Sequence, residues 1–155
     1  QRVTPALLYA AMLWYPIEEQ SQKLACETDL SPADAFNMAM SDVLQRQLQR
    51  IMIPKRFSVT MREIWAFQHR LGRRHGRRAH QMLAHPRFRA AYDFLLLRGE
   101  IEGGQLYELA DWWTEFQEAN SDQRKTMIDN LLGHPNGKVS RRRKPSKSKR
   151  KPNQI

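Results

Sequence analysis

The sequence has few of the residues that build disulfide frameworks or membrane spans. Its 155 residues include one cysteine, Cys26, which excludes an internal disulfide and is typical of a reducing compartment. We expect Cys26 to be a small buried side chain. No apolar run approaches the length of about 18 residues that a membrane span needs. The apolar segment at 6–15 is followed by charged residues and has no small-residue cleavage pattern. These features predict a soluble, cytoplasmic protein with no membrane partner.

The sequence also lacks β-strand patterns, because no stretch alternates apolar and polar residues with a period of two. Apolar residues recur instead at three- and four-residue spacing, between prolines, glycines and capping residues. This spacing predicts an all-α fold, a single irregular multi-helix body over residues 1–137. Residues 138–155 are rich in Lys and Arg and poor in large apolar residues, which predicts a disordered basic tail.

Helix boundaries can be predicted from capping residues and prolines. Thr4 and Ser31 each precede a proline, the order typical of an N-cap followed by the first helical residue. Pro16 is predicted to end the first helix and to begin a second. Ser58 or Thr60 is predicted to cap the helix that continues to the glycines at 72 and 76.

Later in the chain, the segment 88–97 is apolar on nearly all sides, which predicts the central buried helix. Gly103 and Gly104 are predicted to end it. Ser121 is predicted to cap a last helix that continues to about Leu132.

Acidic residues are scarce in the middle of the chain. Residues 46–98 hold thirteen Lys or Arg and two acids, a net charge of +11, and residues 138–155 hold nine basic residues and no acid. The segments 1–45 and 99–137 carry net charges of −4 and −6. A basic folded segment and a basic tail between acidic segments predict a polyanionic partner, and nucleic acid is the first candidate.

Catalytic and metal-binding patterns are missing. Nucleotidyl transfer needs neighbouring carboxylates that hold two metal ions, and the chain has no Asp-X-Asp pair and no Gly-rich phosphate motif. Four histidines, at 69, 75, 80 and 85, have spacings of six, five and five, unlike the usual zinc spacings. We therefore predict no catalytic residue, no metal site and no cofactor in this chain.

Basic residues are the candidate binding groups, since guanidinium groups fork two hydrogen bonds onto one phosphate and also stack on bases. Lys55 and Arg56 are predicted to lie in a turn before a helix, and the others to extend along it and past a glycine-containing break. The predicted nucleic-acid-binding residues of the body are Lys55, Arg56, Arg62, Arg70, Arg73, Arg74, Arg77 and Arg78, and those of the tail are Arg141, Arg142, Arg143 and Lys144.

Two aromatic residues, Phe67 and Trp112, fit the apolar faces of their helices least well and are candidates for base stacking. An alternative is that acidic residues neutralise the basic helix within the fold. The candidates for that role are Glu108, Asp111, Glu115 and Glu118.

Long ordered strings of this sequence resemble the C-terminal part of bacterial poly(A) polymerases. They are Val-Thr-Pro-Ala at 3–6, Ile-Pro-Lys-Arg-Phe-Ser at 53–58, Met-Arg-Glu-Ile-Trp at 61–65, His-Pro-Arg-Phe-Arg-Ala-Ala-Tyr-Asp-Phe-Leu-Leu-Leu-Arg at 85–98 and Ala-Asp-Trp-Trp-Thr-Glu-Phe-Gln at 110–117. The resemblance implies a helical, RNA-binding region of an enzyme that adds AMP from ATP, with Mg²⁺, to single-stranded RNA 3′ ends. In bacteria the added AMP units mark the RNA for decay.

The family's catalytic elements are a Gly-rich turn, an Asp-X-Asp pair and an Arg-Arg-X-Asp element, and none occurs here. The resemblance therefore implies RNA binding without catalysis, and a catalytic head upstream in the same polypeptide. The absence of an initiating Met before Gln1 agrees with that expectation. The tail departs from the family pattern because it mixes Lys and Ser with Arg.

Two other interpretations remain open. The chain could be a self-standing RNA-binding adaptor, or a protein-interaction module that docks RNA-decay proteins or the enzyme's own head. The related tRNA 3′-end-adding enzymes share the head elements, so their absence does not separate the two families. The string at 87–93 and the basic tail favour the poly(A) polymerases.

Overall fold

The computed structural model describes residues 4–132, and all seven elements of regular secondary structure in this part are α-helices. The all-α prediction is confirmed there. The predicted tail and its residues Arg141, Arg142, Arg143 and Lys144 lie outside the described residues. None of the helices in the described part is long and apolar enough to cross a membrane. The helices are α1 (Pro5–Glu27), α2 (Pro32–Arg50), α3 (Lys55–Leu71), α4 (Arg77–Leu83), α5 (Phe88–Glu102), α6 (Gly104–Glu118) and α7 (Ser121–Leu132).

The predicted caps of α1 and α2 are confirmed. The Thr4 hydroxyl accepts from the Leu7 amide at 3.4 Å, and the Ser31 hydroxyl accepts from the Asp34 amide at 3.2 Å. In each helix the following proline occupies the first turn, where its missing N–H removes no intrahelical bond.

The prediction that Pro16 separates two helices is wrong, because α1 continues through it. Buried residues lie on both sides of the proline, among them Ala10, Trp14 and Ile17. Pro16 itself is exposed, so its ring faces away from the core. We attribute the continuity to this shared buried face, which outweighs the one backbone hydrogen bond that proline cannot make.

The prediction that Ser58 or Thr60 caps α3 is also wrong. The Ser58 hydroxyl donates to the Lys55 carbonyl at 2.9 Å, and the Thr60 hydroxyl donates to the Arg56 carbonyl at 3.2 Å. Such bonds to the preceding turn are typical of hydroxyls inside a helix. The helix therefore begins at Lys55, and Lys55 and Arg56 lie in its first turn rather than before it.

At the start of α7, Asn120 takes the capping role predicted for Ser121. The Asn120 side chain accepts from the Gln123 amide at 3.0 Å, and the Gln123 side chain accepts from the Asn120 amide at 2.9 Å. This reciprocal pair satisfies two backbone donors, as in a capping box.

Two apolar clusters form the core, and α3 and α5 contribute to both. The first cluster joins α1, α2 and the N-terminal half of α3 around Trp14, Phe36 and Trp65. The second joins the end of α3 with the later helices around Phe88 and Trp113. The prediction that 88–97 is the central helix is confirmed by this double role, although Leu97 is exposed.

Buried polar groups connect the helices. The indole N–H of Trp65 donates to the Ala10 carbonyl, and that of Trp113 donates to the Leu71 carbonyl, each at 3.0 Å. These bonds fix α3 against α1 and α6 against the end of α3. Cys26, predicted to be buried, is exposed because it lies in the last turns of α1, beyond the last buried residue, Ile17.

Candidate nucleic-acid interface

Three of the predicted binding residues converge on one cavity. Arg70, Arg73 and Arg78 line a cavity of about 290 Å³ together with Gln81 and Met82. We call these three residues the arginine cluster. The cavity has no acidic lining residue, so its surface is positive and suited to an anion.

The turn between α3 and α4 builds the arginine cluster. The Arg73 amide donates to the Arg70 carbonyl at 2.9 Å, which folds the chain back at the end of α3. Gly76 then adopts φ +58°, a conformation that residues with a Cβ rarely take, and α4 begins at the next residue. This reversal brings Arg78 beside Arg70 and Arg73, whereas Arg77 is exposed nearby without lining the cavity.

None of the eight predicted body residues forms a salt bridge within residues 4–132. The ion pairs there use other arginines: Arg87 pairs with Glu63, Arg89 with Asp93, and Arg98 with Glu18 and Glu102. Both acids of the basic segment are therefore engaged by Arg87 and Arg89.

No salt bridge among the described residues supports the alternative of internal neutralisation. The proposed neutralising acids of α6 form no salt bridge there with the predicted binding residues. The one arginine that packs at the end of α6, Arg124, donates to the Phe116 and Gln117 carbonyls at 2.8 and 2.9 Å. The positive charge of the arginine cluster is thus left available for a partner.

Other predicted residues extend along α3 away from the arginine cluster. Lys55 and Arg62 are seven residues apart, which places them on one side of α3. Arg73 and Arg74, predicted to extend along this helix, lie beyond its end at Leu71. Fifteen residues separate Lys55 from Arg70, about 22 Å at the rise of an α-helix. Arg62 donates to the Ser41 hydroxyl of α2 at 3.0 Å. Lys55, Arg56 and Arg62 therefore lie on α3 N-terminal to the arginine cluster, and we call these three residues the α3 stripe.

Arg74 lies apart from the arginine cluster. Its guanidinium lies 4.7 Å from the ring centroid of Trp112 on α6, and it lines a different cavity with Gly72 and Glu108. Burial lowers the pKa of Arg74, although an arginine remains charged at neutral pH. Its Nε has no hydrogen-bond partner in the described part of the chain.

The two stacking candidates are differently placed. Phe67 is buried, with His85 at 5.1 Å between ring centroids and Arg70 above its ring, so the prediction that it stacks on bases is wrong. Trp112 is partly exposed, but Phe116 stacks on it at 4.7 Å and Arg74 covers its ring. A base could stack on Trp112 only if Arg74 moved.

His69 packs against the apolar core of the first cluster. Its ring meets Phe36 edge to face at 4.3 Å, and Trp14 lies at 6.3 Å. Burial lowers the pKa of His69, and the charges of Arg98 and Arg73 lower it further, so the ring is neutral at neutral pH. Across residues 4–132, no group of three or more His, Cys, Asp or Glu side chains could hold a metal ion.

Sequence reasoning missed the residues around His69. Asn37 and Ser31 line a further cavity together with His69, and Arg73 lines this cavity as well. His69 and Arg73 are four residues apart in the sequence, but α3 ends at Leu71, so a helical spacing did not indicate that they meet. The approach of α2 to this end of α3 could not be read from the sequence.

Comparison with known proteins identifies the family. Residues 28–151 match the family described as "Polymerase A arginine-rich C-terminus". That match covers most of the chain, and the chain belongs to this family.

The individual relatives are poly(A) polymerases. Poly(A) polymerase I of Salmonella typhi is 45% identical over 152 residues, that of Escherichia coli O6:H1 is 46% identical over 147, and that of Haemophilus influenzae is 40% identical over 127. These matches cover 97%, 94% and 82% of the chain but 32%, 31% and 28% of the relatives. The chain therefore spans about one third of the length of the curated relatives it matches, and the resemblance in its sequence is confirmed.

Proposed function

We propose that this chain is the RNA-holding region of a bacterial poly(A) polymerase. In this proposal it binds the single-stranded RNA whose 3′ end a catalytic head, upstream in the same polypeptide, extends with AMP. ATP and Mg²⁺ bind to that head and not to the helical body. The activity serves RNA polyadenylation and decay in the cytoplasm.

The observation that carries this proposal is the convergence of three arginines without carboxylate partners. Arg70, Arg73 and Arg78 share one cavity and form no salt bridge in the described part of the chain. An RNA phosphate would supply the missing anion and accept forked hydrogen bonds from the guanidinium groups. The stripe of Lys55, Arg56 and Arg62 would continue the contact along the RNA backbone, without reading its sequence.

A second candidate function is docking of another protein surface, and a patch on α1 favours it. Leu8, Met12 and Tyr15 recur at four- and three-residue spacing, and they are 55%, 71% and 47% exposed. A helix with such a face typically packs against a partner. The catalytic head is the first candidate occupant, and proteins of RNA decay are the second.

Fluorescence anisotropy of a labelled oligo(A) tests the RNA proposal. Residues 1–155 and residues 1–137 would each be titrated at several salt concentrations. We expect 1–137 to retain binding, with an affinity that falls as salt rises, because the folded body displaces counterions from the RNA. If removal of the tail abolishes all binding of oligo(A), the result would favour the docking function instead. Binding of a partner protein that is insensitive to neutralised arginines would favour it as well.

A further inference from the structure

A second cavity adjoins the arginine cluster. It has a volume of about 460 Å³ and lies between the N-terminal turns of α2 and the C-terminal turns of α3. We call it the α2–α3 cavity. Its walls are largely apolar, from Pro32, Ala33, Phe36 and Ala66, with a few polar groups at the edge. This size and composition are typical of pockets that take a small organic group.

One wall of the α2–α3 cavity is a flat, neutral ring. His69 lines the cavity and is supported by Phe36, whose ring it meets edge to face at 88°. Burial and the neighbouring arginines keep the imidazole uncharged at neutral pH. Supported aromatic and histidine rings are the surfaces on which proteins stack unpaired RNA bases.

A polar group at the edge could read a base. Asn37 lines the cavity, is exposed, and makes no side-chain hydrogen bond to another described residue. Its amide offers a donor and an acceptor side by side, the pair that matches N7 and the N6 amino group of adenine. The Ser31 hydroxyl is already engaged by the amide and carboxylate of Asp34. Asn37 is therefore the group available for base contacts.

The two cavities are joined by Arg73, which lines both. A nucleotide with its base in the α2–α3 cavity would have its phosphate beside Arg73. Arg70 and Arg78 complete the anion site on the other side. An apolar pocket with a planar wall and an anion site beside it matches the two ends of one nucleotide.

We propose that the α2–α3 cavity binds one unpaired purine base of the RNA, preferentially adenine. The base stacks on His69 and hydrogen-bonds to Asn37, while its phosphate lies on the arginine cluster. This inference rests on the proposed RNA-holding function and adds base selectivity to a surface that otherwise contacts only the backbone.

Anisotropy titrations with oligo(A) and oligo(U) of equal length test the proposal. The wild-type chain should prefer oligo(A) by about fivefold or more, since a bidentate base contact discriminates by roughly that factor or better. Asn37→Ala should bring the ratio of the affinities for oligo(A) and oligo(U) near unity. It should leave the salt dependence of both affinities unchanged, because no charge is lost. Gln45→Ala, an exposed amide later on α2, is the matched control and should keep the wild-type ratio.

His69→Ala should weaken binding of oligo(A) by about fivefold or more through lost stacking. Because His69 also contacts the core, a melting curve must accompany this variant, whereas Asn37→Ala is exposed and tests the proposal independently. Equal affinity for oligo(A) and oligo(U), unaltered by Asn37→Ala, would overturn the base pocket.

The two proposals fail in different ways. If only the base-pocket proposal is wrong, Arg73→Gln still weakens the binding of oligo(A) and of oligo(U) by the same factor. If RNA binding is absent from the folded body, Arg73→Gln has no effect on either RNA, and both proposals are overturned.

Discussion

At the scale of single residues, Arg98 shows how one charge can connect three helices. It is 9% exposed and lies on α5, where it pairs with Glu102 at 3.0 Å and with Glu18 of α1 at 3.7 Å. Its guanidinium also lies 4.2 Å from the Trp14 ring centroid and reaches Gln68 of α3 at 3.5 Å. Arg98 thus connects three helices through its ion pairs, whereas Arg70, Arg73 and Arg78 form no salt bridge among residues 4–132.

Replacing Arg98 with Met should therefore destabilise the protein. The change leaves Glu18 and Glu102 near the core without their counter-charge, and such losses cost about 3–5 kcal/mol when fully buried. Because both carboxylates keep some solvent access, we expect about 2–3 kcal/mol, measured by urea unfolding. Arg46→Met, at an exposed position on α2, is the control and should change the free energy of unfolding by less than about 0.5 kcal/mol. Equal effects of the two substitutions would contradict this role of Arg98.

Glu18 gives a pH-dependent prediction. Burial raises the pKa of Glu18 above its ordinary value of 4.5, and the charge of Glu102 raises it further, while Arg98 lowers it. The folded state therefore holds this proton more tightly than the unfolded state does. Stability from this group is fully present below the unfolded pKa and is lost as pH rises through the folded pKa.

A glutamine at position 18 cannot ionise. The stability of Glu18→Gln relative to the wild type should therefore increase as the pH rises from about 4 to about 7. The measurement is the difference in Tm between variant and wild type at the two pH values. A difference that becomes more negative at the higher pH would show that the attraction to Arg98 outweighs burial.

At the scale of helices, the close approach of α5 and α6 depends on Gly99. A Cβ on Gly99 would lie 3.2 Å from both the Leu106 carbonyl oxygen and the Tyr107 Cα, which are backbone atoms that cannot move independently. Gly72 offers a control, since it has φ −73° and a Cβ added there would have no neighbouring atom within 4 Å.

We expect Gly99→Ala to cost about 1–3 kcal/mol through this crowding. Gly72→Ala should be neutral or stabilising by up to about 1 kcal/mol, because alanine restricts the unfolded chain. Urea unfolding of the two variants checks both values. A Gly99→Ala protein as stable as Gly72→Ala would mean that α5 and α6 can separate at little cost.

Helix identities could be predicted from the sequence more reliably than helix ends. The caps at Thr4 and Ser31 are local hydrogen bonds, and they are confirmed. The continuation of α1 through Pro16 depends on packing against other helices, which no local pattern records. The start of α3 was misplaced because hydroxyls at 58 and 60 can either cap a helix or bond back inside it.

At the scale of the whole molecule, some basic residues are paired with carboxylates and others are not. Arg87, Arg89 and Arg98 are paired with carboxylates and belong to the fold. The arginine cluster and the α3 stripe form no salt bridge among residues 4–132. The net charge of the segment could be counted from the sequence, but this division depends on which side chains meet in three dimensions.

The geometry of the candidate site was only partly predictable for the same reason. The chain order predicted a continuous basic surface from Lys55 to Arg78. The turn around Gly76 instead gathers Arg70, Arg73 and Arg78, and it leaves Arg74 against Trp112. The α2–α3 cavity depends on residues about thirty positions apart, Asn37 and His69, and no sequence spacing indicates it.

The most direct test of the RNA-holding account compares two charge-matched triple variants of the full chain. One is Arg70→Gln, Arg73→Gln and Arg78→Gln. The other is Lys23→Gln, Arg46→Gln and Arg50→Gln, whose side chains line a cavity that also contains Glu19. Both lose three positive charges, and both keep the tail.

Oligo(A) affinity would be measured by anisotropy across a salt series. If the arginine cluster holds the RNA, its variant should bind roughly tenfold or more weakly than the control variant. The slope of its log affinity against log salt concentration should be shallower by about 2, the value for three lost phosphate contacts on a single strand. Equal losses of affinity and equal slopes in the two variants would contradict the account.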